Sequence, residues 1–360
     1  MADDNRKPDV TIGCDLGDKK SEVCILGSDG AIERPKPVGT TRQEMTAFFT
    51  RPRAHVVIEA GTHSRWVSNV LKGLGHKVTV ANPRKLSLIS RNDSKNDRTD
   101  AELLARLGRA DEKLLSPVVH RSDEAQAHLA TAKVRDGLVA CRTRLVNQAR
   151  SLVKSFGYRL PKCTTDTFHK ACWGSVPKEL KQALAPAFGM LRHLEIELKR
   201  CNKAIARAAK KYPDVEIIGQ PNGVGVLTAL VFLLTIEDKT RFKSSRDVGA
   251  YVGLRPKMYQ SGGTDPQLRI TKAGDAYLRR LLVGSANYIL GPFGKDSDLR
   301  RWGLQLAGRG GKNAQRRAKV AVARKLAVLM HRLWVTGEEY KPLGYGKKAE
   351  APATVPTLTN

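Results

Sequence analysis

Three patterns predict an α/β domain at the amino terminus, a helical middle and an α-rich domain at the carboxyl terminus. Over residues 9–119, short β-prone apolar runs alternate with segments of helical period, as in a sheet covered by helices. From 120 to 213 the chain carries two long segments with apolar residues at helical spacing. From 214 to 343 apolar helices flank a single hairpin-like stretch. Residues 1–8 and 344–360 read as disordered tails.

The elements follow in order. "VTIGCD" and "EVCIL" are β-prone runs on either side of Gly17-Asp18-Lys19-Lys20, which predicts two strands joined by a tight turn, with a third short strand at 31–38. "TRQEMTAFFTR" reads as a helix. "AHVVIEAG" reads as a strand ending in the carboxylate of Glu59. "HSRWVSNVLKGLG" has helical period and a glycine stop, "HKVTVANP" is a further strand, and "NDRTDAELLARLGRA" is a helix. In the middle region, the segment from Asp123 to Gly157 and the one from Phe188 to Tyr212 predict two long helices, with 157–185 broken by Pro161 and Pro177. They suggest an antiparallel coiled coil or dimerisation arm, with ordinary bundle packing an equal alternative, and show no apolar core of their own. Beyond them, "PNGVGVLTA" places glycines ahead of an apolar helix, "YVGLRPKMYQSGGTDPQLRIT" reads as a hairpin with a Ser-Gly-Gly tip, and "KAGDAYLRRLLVGSANYIL" and "RRAKVAVARKLAVLMHRLW" read as helices.

Charge narrows the function. The 360 residues include 63 Lys and Arg against 35 Asp and Glu, a formal charge of +28. Such a surplus calls for a polyanionic partner, most commonly nucleic acid. An anionic membrane is the rival, but no apolar run approaches the ~20 residues of a spanning helix, and no basic-then-apolar signal segment opens the chain. The six cysteines are scattered without a C-x-x-C pair, and the eight histidines show no H-x-x-x-H spacing. A zinc ribbon and a disulfide scaffold are therefore disfavoured. Reduced thiols in a cytoplasm are the default, and any metal is held by oxygen.

That expectation directs attention to the acids. Asp15 ends the first predicted strand, Glu59 ends a later one, and Asp97 and Asp100 lie three apart on one helix face. If the strands are neighbours, the four carboxylates suit two hard cations, expected to be Mg²⁺, as in two-metal phosphoryl transfer. Singly, each has a plainer explanation as a surface or helix-cap residue, and aspartates in a first turn also complement the helix dipole. Asp15-Leu16-Gly17 loosely resembles the phosphate-contacting turn of actin-like kinases, a reading that leaves the charge and the aspartate pair unexplained.

Other candidates lie further along. Ser261 precedes two glycines, a pattern that usually marks a hairpin tip. A nucleophilic role also makes physical sense, since glycines admit a phosphate close to the backbone. "PNGVGVLTA" resembles the glycine turn of helix-hairpin-helix modules, although Asn222 precedes its first glycine. A tight helix–helix turn is an equal alternative. Between 301 and 325 stand Arg301, Arg309, Lys312, Arg316, Arg317, Lys319, Arg324 and Lys325 with no acid. "GRGGKNAQRR" reads as flexible, and the eight cations as uncompensated contacts for phosphate rather than for bases. Lys272, Arg279 and Arg280 extend the basic set. With aromatics at 6%, stacking on single-stranded bases is not expected to dominate.

The order "GCDLG", "VIEAG", "NPRK…KNDRTDAELLA", continued by "GVGVLTA", "YVGLRPKMYQSGG", "RITKAGDAYLRRLLV" and "KVAVARKLAVLMHRLW", resembles the DEDD-type insertion-sequence transposases, the bridge-RNA-guided recombinases. The resemblance implies an RNase H-like (RuvC-type) domain over 9–119, a coiled-coil region over 120–213, and a transposase domain with a serine-bearing hairpin over 214–343. It puts the acidic tetrad on Asp15, Glu59, Asp97 and Asp100 and the nucleophile on Ser261. It also implies Mg²⁺, donor and target DNA, a structured bridge RNA, a covalent phosphoserine link, and a composite centre completed by another subunit of a dimer or tetramer. The setting would be a bacterial or archaeal cytoplasm, at the nucleoid. Two rival classes remain: a metal-dependent, structure-specific (Holliday-junction-type) endonuclease that ignores Ser261, and a non-catalytic nucleic-acid-binding protein.

Overall fold

A computed structural model describes residues 8–83, 96–259, 263, 266 and 268–344. The chain divides into two compact units, residues 1–120 and 121–360.

The first unit is built on a mixed sheet. β1 (Thr11–Asp15) pairs antiparallel with β2 (Lys20–Leu26) and parallel with β5 (His55–Glu59). β2 pairs antiparallel with the two short strands β3 (Ile32–Glu33) and β4 (Val38–Gly39), and β6 (Lys77–Ala81) lies parallel to β5. The strand order is β3-β2-β1-β5-β6, with β4 beside β2. The continuous apolar run Val56, Val57, Ile58 reflects a parallel strand buried on both faces.

Helices cover both sides of this sheet. α1 (Arg42–Phe49) and α2 (Ser64–Gly73) supply Met45, Phe49, Val67 and Leu71 to a core with Ile12, Cys14, Val56 and Ile58. On the opposite face lies α3 (Asp97–Ala110). Its approach is close because residues without bulk meet there. A Cβ on Gly13 of β1 would fall 1.9 Å from the Ala101 carbonyl oxygen, and one on Gly108 of α3 would fall 2.4 Å from Val57. No side chain fits at Gly13 without pushing α3 off the sheet. The side chain of Asn96 caps α3 by accepting from the Arg98 backbone N–H at 3.0 Å, so Asp97 is the first helical residue and not the cap.

The second unit begins with α4 (Asp123–Ser155), which runs antiparallel to α6 (Lys178–Ala209). Ala125, Leu129 and Ala132 at the start of α4 share a core with Ile205 and Ala208 at the end of α6. At the other end, Val146, Ala149 and Val153 pack with Leu184, Phe188 and Leu191. Between them Arg142 meets Glu195 at 3.0 Å. Two expectations are corrected here. The helix expected from 188 begins at Lys178 and passes through Pro186, because burial of Leu180 and Leu184 offsets the lost backbone bond. The pair also has an apolar core of its own, completed by Phe168 of α5 (Phe168–Ala171) and by Cys172.

In the rest of the unit, α7 (Asp214–Ile218) leads into α8 (Val226–Ile236), whose residues from Thr228 to Ile236 are all buried. A helix apolar on every side belongs at the centre of a core. Around it lie α9 (Arg246–Tyr251), α10 (Ala276–Leu290), α11 (Asp298–Ala307) and α12 (Gly311–Thr336). "KNAQRR", expected to be flexible, forms the first turns of α12.

Candidate active site

The sheet explains how the acids gather. One step beyond the last β1–β5 pair, Cys14 and Ile58, stand Asp15 and Glu59 at adjacent ends of parallel strands. Alternation along a strand puts Gly13 and Asp15 on one face, and Gly13 lies under Ala101 of α3. Likewise Val57 lies under Gly108, so Glu59 faces α3 as well. Asp100, immediately before Ala101, is only 4% exposed and belongs to the sheet-facing stripe of α3 with Ala101, Leu104, Ala105 and Gly108. Three of the four expected acids thus share one face at one end of the sheet. Asp97, one turn earlier, is exposed.

A further carboxylate belongs to this group. Glu22 of β2 stands directly opposite Asp15 in the ladder, hence on the same face, and Arg98 approaches it at 3.8 Å. Like charges opposite one another weaken a sheet, so the pairing signals a place where positive charge is wanted. Nothing in the sequence marks Glu22 until the register is known. Among the described residues, no three of His, Cys, Asp and Glu stand at metal-ligand spacing. Carboxylates repel at short range. An all-oxygen donor set does fit a hard divalent ion. Cys14, next to Asp15, points to the opposite face, into the core with Met45 and Val67, where burial, and secondarily the Asp15 charge, push its thiol far above the ordinary value.

The rim of this end is braced. The Thr40 hydroxyl donates to the Gly17 carbonyl at 2.9 Å, holding the β1–β2 turn. The Trp66 indole N–H donates to Nδ1 of His63 at 3.1 Å, which leaves the His63 Nε2 proton to face Asp18 at 3.5 Å.

Ser261 lies outside the described residues, but the root of its predicted hairpin does not. Pro256 and Ile270 form an antiparallel bridge, and Lys257 N–H donates to the Arg269 carbonyl at 2.9 Å. Below it two left-handed glycines interlock. A Cβ on Gly253 would strike the Ala273 carbonyl at 2.1 Å, and one on Gly274 the Tyr251 carbonyl at 2.0 Å. Those glycines of "YVGLRP" and "TKAGDAY" let the two arms meet. Asn222, in the glycine turn before α8, accepts from the Lys295 N–H at 3.1 Å, and Gly223 packs on Tyr288 and Ile289. That turn is a helix–helix junction seated on α10.

The basic candidates fall into two sets. Arg301 is not uncompensated: it makes a two-pronged pair with Asp296 at 3.0 and 2.6 Å, an acid just outside the 301–325 run. Arg280 pairs with Asp136 at 2.6 Å, and Arg279 donates to the carbonyls of Val252 and Ala273, bracing the hairpin root. Lys272, Arg309, Lys312, Arg316 and Arg317 are exposed, as Arg301 and Arg280 are, and Lys319 is half-buried.

The first unit is thus a sheet with acids at the ends of its parallel strands, in a chain with a formal charge of +28. Comparison with known proteins gives the family. The DEDD transposase domain model of the IS110 group matches residues 12–157, and the transposase model of the IS116/IS110/IS902 family matches 215–292. The transposase for insertion sequence element IS1328 of Yersinia enterocolitica is 30% identical over 298 residues, spanning 78% of this chain and 84% of its own. The transposase for element IS1111A of Coxiella burnetii is 26% identical over 338 residues, 92% and 91% of the two chains. The chain belongs to the IS110/IS116 family of insertion-sequence transposases. Among its described residues no helix is long and apolar enough to cross a membrane.

Proposed function

We propose that this transposase cuts and rejoins DNA through an acidic, divalent-metal-dependent centre and a serine nucleophile, guided by a bridge RNA. The observation that carries the reading is the placement of Asp15, Glu59 and buried Asp100 on one face at one end of the sheet. The order β3-β2-β1-β5-β6, three antiparallel strands followed by parallel ones, supports an RNase H-like domain over 9–119. The α4–α6 hairpin suits a coiled-coil region over 120–213, and the interlocked root at Gly253 and Gly274 suits a serine-bearing hairpin in a transposase domain over 214–343.

Asp15, Glu59, Asp97 and Asp100 would hold two Mg²⁺ ions. Bound there, the ions would offset charge on the phosphate under attack and on the departing oxygen. Ser261 Oγ attacks the scissile phosphodiester; an O–P bond to serine forms as the bond to the departing sugar oxygen breaks, and the serine proton ends on that sugar hydroxyl. A hydroxyl on the receiving strand then attacks the phosphoserine, restoring a phosphodiester and free Ser261. Two ester exchanges conserve the bond, so no nucleotide triphosphate is consumed. The composite centre would take its acids from one subunit and its serine from another.

The test is product analysis. With donor DNA, target DNA, the element's structured RNA and Mg²⁺, joined strands should form without ATP. Nicked or linear DNA alone would support the hydrolytic nuclease, and retention of DNA with no cleavage would support a mere binder.

Phosphate contact should also set the salt response. Neutralising ~6–10 phosphates makes affinity fall ~10³–10⁵-fold between ~50 and ~200 mM salt. Replacing both Arg316 and Arg317 by alanine should lower the logarithmic slope by ~2 without altering site preference. An unchanged slope in filter-binding titrations would remove these two residues from the interface.

A further inference from the structure

One face of α12 repeats a pattern that the basic run conceals. Arg316 and Arg317 are followed one turn later by Val320 and Ala321, then Arg324 and Lys325, then Val328 and Leu329, then Arg332. Rungs four residues apart stack along one side of a helix at intervals of ~6 Å. All nine residues line a single groove of about 990 Å³ within the second unit. Its other walls come from the hairpin root (Leu254, Pro256, Leu268, Ile270) and from α11, where Trp302 lies. Lys325 Nζ sits 3.7 Å from the centre of the Trp302 ring. Arg324 runs across Gly249 of α9, where a Cβ would come within 2.9 Å of its side chain. Eight of the lining residues are Lys or Arg, with Asp298 the one lining carboxylate, and Arg332 also faces Glu338 at 3.7 Å. The Asp298 carboxylate already accepts from the Gly344 N–H at 2.7 Å.

The alternation selects the occupant. A flat phosphate-binding surface needs no apolar rungs, and a groove for an apolar protein helix would not carry eight cations. A strand of nucleic acid presents both features in turn, a charge on every backbone repeat and the flat face of a base between. We propose that this groove binds a short single-stranded segment with its bases turned onto the Val320, Ala321 and Val328 floor and its phosphates on the basic rungs. The inference rests on the reading of the chain as a nucleic-acid-processing enzyme, and adds that part of its substrate is held unpaired. The volume lies at the upper end of the ~300–1,000 Å³ usual for ligand sites, enough for more than one nucleotide.

Binding can be measured with the full chain in EDTA, where no strand transfer occurs. The outcome is then independent of the serine chemistry. The probes are a fluorescent deoxyadenosine oligomer of ~12 nucleotides, within the site sizes of single-strand binders, and an abasic phosphodiester chain of equal length. Wild type should bind the base-bearing probe about tenfold more tightly than the abasic one, the scale of base stacking. Ala321→Leu, which fills the floor without an aromatic ring and leaves every cation, should bind both alike while keeping wild-type affinity for the abasic chain. Equal affinities in wild type would overturn the proposal outright, whatever the variant does. Discrimination retained by Ala321→Leu would place the bases elsewhere. Absence of discrimination, together with a smaller assembly for Ala321→Leu in light scattering, would instead make the floor an interface between copies.

Discussion

Ser261→Ala is expected to fold, to bind RNA and DNA as wild type does, and to form no covalent protein–DNA adduct. The change removes one oxygen from a residue followed by two glycines, at a position where an ordinary turn would tolerate alanine. If the hydroxyl is the nucleophile, no other group in the chain can replace it by addition to phosphorus, and joining falls to background. Denaturing electrophoresis of enzyme incubated with end-labelled target DNA and Mg²⁺ reads this directly. A shifted band with wild type, absent with Ser261→Ala, is the expected pair of lanes. Free nicked DNA in both lanes would mean that the acidic centre works alone with water and that Ser261 is only a turn. Ser261→Cys should show weak or no turnover, because a thiol differs from a hydroxyl in size, geometry and metal preference.

The acidic ends of β1 and β5 were visible in the sequence because parallel strands announce themselves as short apolar runs, and a carboxylate closing such a run stands out. The helix of Asp97 and Asp100 was visible for the same kind of reason, an amphipathic period with acids in its first turn. What stayed hidden depends on register and on long-range partners. Glu22 becomes part of the group only once β2 is laid against β1, with Asp15 opposite it. Asn96, one residue before the aspartate pair, takes the capping role that the aspartates could have filled. Arg301 looked uncompensated because its partner Asp296 stands just outside the basic run. The start of α6 was obscured by Pro186, where tertiary burial overrides local propensity. On α12 the cations read in sequence as a run, and the groove they share shows the four-residue ladder with apolar rungs.

The second large effect is expected at the acids themselves, and burial predicts that they will not all behave alike. Asp15→Asn, Glu59→Gln and Asp100→Asn keep shape and remove charge, so each should cut strand transfer by ~10³-fold or more, the several kcal/mol that metal-assisted charge stabilisation supplies. DNA affinity should change little, since the basic residues bind the backbone. Metal-free melting curves offer a check that does not need turnover. A divalent ion at ~100 times its dissociation constant adds ~2.7 kcal/mol to the folded state, a rise of several degrees in Tm for a domain of this size. Wild type should show that rise with Mg²⁺, and Asp100→Asn, losing the buried carboxylate proposed to bind the ion on the sheet-facing side of α3, should not. Asp97 is exposed on the first turn, so Asp97→Asn should lose strand transfer yet keep part of the rise. Its metal-free stability should fall by no more than the ~0.3–1 kcal/mol of a charge at a helix N-terminus, because Asn96 holds the cap. A Tm rise of equal size in wild type and in all four variants would show that these carboxylates do not bind the ion, and the acidic centre would have to be sought elsewhere in the chain.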